Sequence, residues 1–122
     1  MMDLKQHLMR QMAFSKATYG PGARTNGVLD HIKKEVEEVR ESGGDSAEWV
    51  DLVILSLDGL TRQLSFCNDQ TKRVSTSAGI ATIACNMIVE KQDRNENRSW
   101  PDWRTADPEK AIEHDRTQET AQ

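Results

Sequence analysis

Glu35 and Glu38 stand three residues apart in the run HIKKEVEEVRE, and Glu48 and Asp51 repeat that interval in SAEWVDLVILSLDG after a pair of glycines. On a helix, an interval of three puts both acids of a pair on one face. The second run is apolar on nearly every side, the mark of a helix surrounded by others. Glu48, Asp51 and Asp58 share one strip of it with Leu55. A carboxylate buried without a partner is costly, so each must hold a proton, pair with a base or meet a cation. The tight turn between the runs predicts antiparallel packing, with Glu35 and Glu38 opposite Glu48 and Asp51. Four facing carboxylates repel one another unless a hard divalent ion lies between them. All-oxygen ligands with no cysteine suit Mg²⁺, or Mn²⁺ in its place, over zinc. Glu37 and Glu41 point the other way and read as a solvated face.

Further along, Ile80, Ile83, Ala84, Met87 and Ile88 mark an apolar helical face that Lys91, Asn95 and Arg98 continue. Two bases and an amide on a predicted inward face are suited to a polyphosphate. Together with the carboxylates, this trio points to metal-assisted cleavage of a phosphoanhydride.

Helical periodicity dominates the chain, and strand alternation is nearly missing, so the fold class is all-α. The first helix is expected over residues 3 to 18, with Leu4, Leu8 and Met12 at four-residue spacing, ending at the breaker YGPG. A second runs from an N-cap at Thr25 to SGG at 42 to 44, with Val28, Ile32, Val36 and Val39 as its buried stripe. On that helix His31, Glu35 and Glu38 fall on a neighbouring strip, about a quarter-turn away. Asp45 or Ser46 caps the third, which reaches Phe66, and a polar loop over 67 to 76 leads to a fourth ending near Arg98. Short connections predict a four-helix-bundle-like arrangement with an irregular C-terminal segment. Residues 1 to 114 read as a single domain and 115 to 122 as a frayed tail.

At 122 residues and 36% apolar content, the chain suits one modest core. Its net charge of −4 argues against a general nucleic-acid binder. No membrane-length apolar run or signal peptide is visible, and Cys67 and Cys85 stand in no metal or redox spacing. A cytoplasmic protein with reduced thiols is expected.

The ExxE and ExxD pairs, Glu35, Glu38, Glu48 and Asp51, resemble the MazG-like superfamily of all-α nucleoside triphosphate pyrophosphohydrolases. Three blocks, FSKATYGPGARTNGVLDHIKKEVEEV, EWVDLVILSLDG and NRSWPDWRTADPEKAIEH, resemble the bacteriophage-type dATP/dGTP diphosphohydrolases. The likeness spans residues 14 to 114 and is weak over about 61 to 80. It implies Mg²⁺-dependent hydrolysis of a purine deoxynucleoside triphosphate to the monophosphate and pyrophosphate. The metal ligands carry over onto Glu35, Glu38, Glu48 and Asp51. Glu38, with Glu35 beside it, is the favoured base for a water attacking the α-phosphorus. Lys34, Lys91, Asn95 and Arg98 become phosphate-binding candidates, and Ser15, Thr18 and Arg24 candidates for the nucleotide pocket. The block holding these last three also reads as a plain inter-helix turn. For His31, substrate contact and a structural hydrogen bond both stay open. Trp100 and Trp103 read as seals at the bundle end ahead of stacking on a base, and His7 and His114 as surface or packing residues. A homodimer or homotetramer is implied.

Two departures from the superfamily pattern stand out. Lys34-Glu35 replaces the paired acids of many members, which leaves the number of ions open, and the spacer from Glu38 to Glu48 is short. The substrate alternatives are phosphoribosyl-ATP, a pyrimidine or a damaged nucleotide. From another class comes a non-catalytic helical adaptor, against which the intact acid set speaks. The base is unresolved between adenine and guanine. Phage relatives include enzymes dedicated to dGTP that supply dGMP for 2-aminoadenine DNA.

Overall fold

A computed structural model describes residues 2–66 and 76–116. It contains α1 (Leu4–Tyr19), α2 (Thr25–Glu41), α3 (Ser46–Phe66) and α4 (Ser77–Glu96), then a short 3-10 turn at Trp103–Thr105. No strand occurs among the described residues, and the fold is all-α and bundle-like. Most of the 67 to 76 loop, Cys67 and the tail from 117 onward lie outside the described residues. Cys85 is a free thiol. No described helix is long and apolar enough to cross a membrane.

The helix ends follow from local chemistry. Asp3 accepts from the amide of Lys5 at 2.9 Å and caps α1. That helix stops at Gly20, whose φ of +92° suits glycine and whose amide donates to the Lys16 carbonyl. Pro21 cannot continue the ladder. Thr25, expected as the cap of α2, is instead its first helical residue. Arg24 takes the cap position in a left-handed conformation, φ 47°, without a side-chain capping bond. Thr76 Oγ1 accepts from Gly79 at the start of α4.

The residues form two compact units, Met1–Asn86 and Met87–Gln122. In the first, α3 packs against both α1 and α2. Gln11 Nε2 donates to the Ile54 carbonyl and Ser15 Oγ to Asp58, both 43 residues apart, so α1 and α3 run in the same sense where they touch. Gln11 Oε1 in turn accepts from His7, which is thereby a packing residue. Gly43 and Gly44, both at positive φ, reverse the chain into an antiparallel α2–α3 pair. At Gly59 a Cβ would lie 3.5 Å from Val28 Cγ1, ordinary contact distance, so the two helices meet there with Val28 packed towards the glycine. Leu8, Leu64, Ile80, Ala81 and Ala84 form the buried core, flanked by Leu57, Leu60 and Met12.

Two expectations about burial are corrected. Along α3, Leu57, Leu60 and Leu64 are covered, whereas Trp49, Val50 and Val53 on the same face are more than half exposed. Within one chain, α3 is surrounded only over its C-terminal half. Likewise Ile80 and Ala84 are buried, but Met87 and Ile88 are exposed.

In the second unit, α4 ends at Glu96, short of the expected Arg98. Trp100 Nε1 donates to the Asn95 carbonyl at 2.7 Å, closing the helix end, and its ring meets His114 edge-on at 5.6 Å. Trp103 seals nothing: it is 68% exposed, with the Arg104 guanidinium 4.9 Å from its ring centroid. The Asp115 amide donates to the Ser99 carbonyl at 2.7 Å.

Candidate active site

The roll of α2 against α3 sets the site. Glu35 is 4% exposed and lies in line with the buried Val28, while Val36, expected in the stripe, is 36% exposed. This turns the acidic strip of α2 inward. One carboxylate oxygen each from Glu35, Glu38 and Glu48 lies within 4.8 Å of the other two. Glu48 is half-buried and Glu38 exposed, so the cluster opens to solvent on the Glu38 side. Asp51, one turn along α3, is exposed and falls outside this trio.

The trio carries more negative charge than its surroundings tolerate. A hydrogen bond with Glu48, then burial, then the nearby Glu38 carboxylate push Glu35 from its ordinary 4.5 up to about 8. Glu35 Oε1 is also buried without a hydrogen-bond partner among the described residues. A cation would answer both features, because it displaces the proton and satisfies the oxygen. The residues therefore fit a hard divalent ion held by Glu35, Glu38 and Glu48.

This geometry predicts a pH effect on stability in chelator. Below 4.5 Glu35 is protonated whether folded or not. Between 4.5 and about 8 the folded state holds one proton more than the unfolded state, so its stability falls as pH rises. Thermal melts with EDTA at pH 5, 6.5 and 8 should show that decline, and Glu35→Gln should flatten it. Equal slopes for the two proteins would remove Glu35 from the protonated cluster.

Asp58 meets its burial differently. Arg62, one turn on and 6% exposed, donates Nε to both Asp58 oxygens at 3.1 Å, and Ser15 Oγ donates to Oδ1 at 2.7 Å. Of the three ways to keep a buried carboxylate, Asp58 takes the paired base. Ser15, expected in the nucleotide pocket, commits its hydroxyl here, accepting from Arg62 Nη2 at 2.7 Å as well.

One to two turns from the trio along α2 and α3 lies a cavity of about 320 Å³, lined by Tyr19, Arg24, His31, Lys34, Leu55 and Asp58, among others. Arg24, His31 and Lys34 therefore share one cavity, while exposed Thr18 does not line it. The Arg24 guanidinium lies 5.7 Å from the Tyr19 ring centroid and so close to Gly27 that a Cβ there would sit 2.8 Å from Nη2. His31 meets Tyr19 edge-on at 6.3 Å. Lys34 pairs with Asp30 at 3.5 Å, an exposed and readily exchanged contact. Lys91 is exposed, and Arg98 Nη1 donates to Asn95 Oδ1 at 3.1 Å within the second unit. The sequence reading missed Tyr19 and Arg62. Arg62 was visible as a base four residues after a buried acid, whereas Tyr19 carried no comparable signal.

The carboxylate trio of α2 and α3 thus lies beside a pocket with aromatic and basic walls. The family model for dATP/dGTP pyrophosphohydrolases matches residues 8–119, and the chain belongs to that family. It is accordingly an enzyme acting on nucleoside triphosphates. Searches of curated proteins and of solved structures return no match.

Proposed function

We propose that this protein hydrolyses dGTP and dATP to the monophosphate and pyrophosphate, with Mg²⁺ held by Glu35, Glu38 and Glu48 and with Asp51, one turn along α3 and outside that trio, as a further ligand. The observation that carries this reading is the carboxylate trio around the orphaned Glu35 Oε1. A bound divalent cation supplies charge neutralisation for the triphosphate oxygens. Glu38, the exposed member, takes the proton of the water that attacks the α-phosphorus. Arg24 and Lys34 face the cavity with positive charge for phosphate oxygens, and His31 and Tyr19 offer ring surface to the nucleoside. Phosphate binding is the role we assign to Lys91, Asn95 and Arg98.

The two units serve as one functional domain, a reading supported by a family match that runs across both. The bare face of Trp49, Val50 and Val53 supports a homodimer or homotetramer, since apolar surface of that kind is normally covered. The setting is the host cytoplasm during phage nucleotide-pool remodelling, with dGMP supply for 2-aminoadenine DNA as one outlet.

The test is product analysis with Mg²⁺ across dATP, dGTP, dCTP and dTTP. Pyrophosphate and monophosphate from the purines are expected. Release of orthophosphate, or no turnover of any of the four, would sink the proposal, and a pyrimidine preference would redirect it.

A further inference from the structure

Arg62 does more than neutralise Asp58. Its Nη1 donates to the carbonyls of Gly20 at 3.0 Å and Gly22 at 2.8 Å, and its Nη2 to the Ser15 carbonyl at 3.2 Å. All of the fork is therefore engaged, one edge on Asp58 and the rest on the end of α1 and the turn beyond it. Gly20 and Gly22 both sit at φ +92° on either side of Pro21, and Arg24 follows at φ 47°. A turn with three left-handed residues has little hydrogen bonding of its own, so carbonyls tied to a buried guanidinium decide where it lies. Tyr19 precedes this turn and Arg24 follows it, and both line the 320 Å³ cavity.

From this geometry we infer that Arg62 is a positioning residue for nucleotide recognition: it fastens the Gly20–Gly22 turn so that Tyr19 and Arg24 face the cavity. The inference rests on the proposal that the cavity takes the nucleotide. Asp58 aims the guanidinium, Ser15 joins the two, and the turn carries the effect to residues that touch substrate. Arg62 itself, with every donor engaged inside the protein, has none left for a ligand.

Arg62→Lys separates the two duties. An ammonium can still pair with Asp58, but it lacks the planar fork that reaches both carbonyls at once. We expect KM for the purine triphosphate to rise about tenfold, in keeping with the cost of small misplacements, while kcat and Mn²⁺ affinity stay near wild type. The chain has a single tyrosine, so 3-fluorotyrosine labelling yields one ¹⁹F line, that of Tyr19. In Arg62→Lys this line should broaden or split, and in wild type it should move when a non-hydrolysable purine triphosphate is added. The double variant Asp58→Asn, Arg62→Gln removes both charges together and should behave like Arg62→Lys. If both variants fold and keep the wild-type KM and ¹⁹F line, the positioning role is overturned, whatever their melting temperatures. If instead the wild-type line ignores nucleotide, the pocket assignment fails, which is a separate result.

Discussion

Glu38→Gln is expected to lose nearly all turnover, by about 10²–10⁴-fold, while keeping the fold. The substitution leaves volume unchanged and removes one negative charge from a group whose oxygens lie within 4.8 Å. It also removes the exposed carboxylate that we assign as base, so kcat falls even when Mg²⁺ is raised to saturation. The stability signature should be opposite in sign. Without metal, relief of repulsion between Glu38 and its neighbours should leave the variant as stable as wild type or more so. With metal, wild type should gain more from binding than the variant does. Steady-state kinetics beside thermal melts in EDTA and in Mg²⁺ check both halves. Wild-type rates in the variant would mean that the trio is not the catalytic centre.

Asp58→Ala should cause the largest loss of stability. It leaves the Arg62 guanidinium buried without a counter-charge and deprives Ser15 of its acceptor. Breaking a buried pair from one side costs ~3–5 kcal/mol, a large share of the ~5–15 kcal/mol that holds a typical domain together. Urea unfolding followed by circular dichroism should show a lower midpoint with an unchanged slope. Adding Arg62→Met to the same protein should recover much of the loss, because an apolar pair replaces the stranded charge. Chelator should not alter the difference, in contrast to the Glu35 and Glu38 variants. A change within about 1 kcal/mol would place Asp58 and Arg62 among pairs of little consequence.

Much of this protein was legible before folding. Periodicity and breakers located four helices to within a residue or two at most ends, since YGPG and SGG cannot continue a helix. The two acid pairs were visible as intervals of three, and the short turn between the helices brings Glu48 to Glu35 and Glu38, while Asp51 stays outside that cluster. The chemistry of the donor set, all oxygen and no sulfur, was equally plain from residue types.

What the chain order left open was how each helix rolls about its axis. Intervals set angles within one helix, but the face that meets a neighbour depends on which side chains permit close approach. On α2 the apolar residues pointed to a stripe including Val36. In the folded chain Val28 and Glu35 are the buried members and Val36 is exposed. Asp58 carried the same sequence signature as Glu48, yet only packing against α1 gave it Ser15 and a shielded Arg62. Tyr19 meets His31 of α2 beside a turn that holds three residues at positive φ and is tied to a guanidinium 40 residues away. Local propensity acts over one or two turns of chain, whereas these choices were made by contacts between residues far apart in sequence, and only the tertiary structure could decide them.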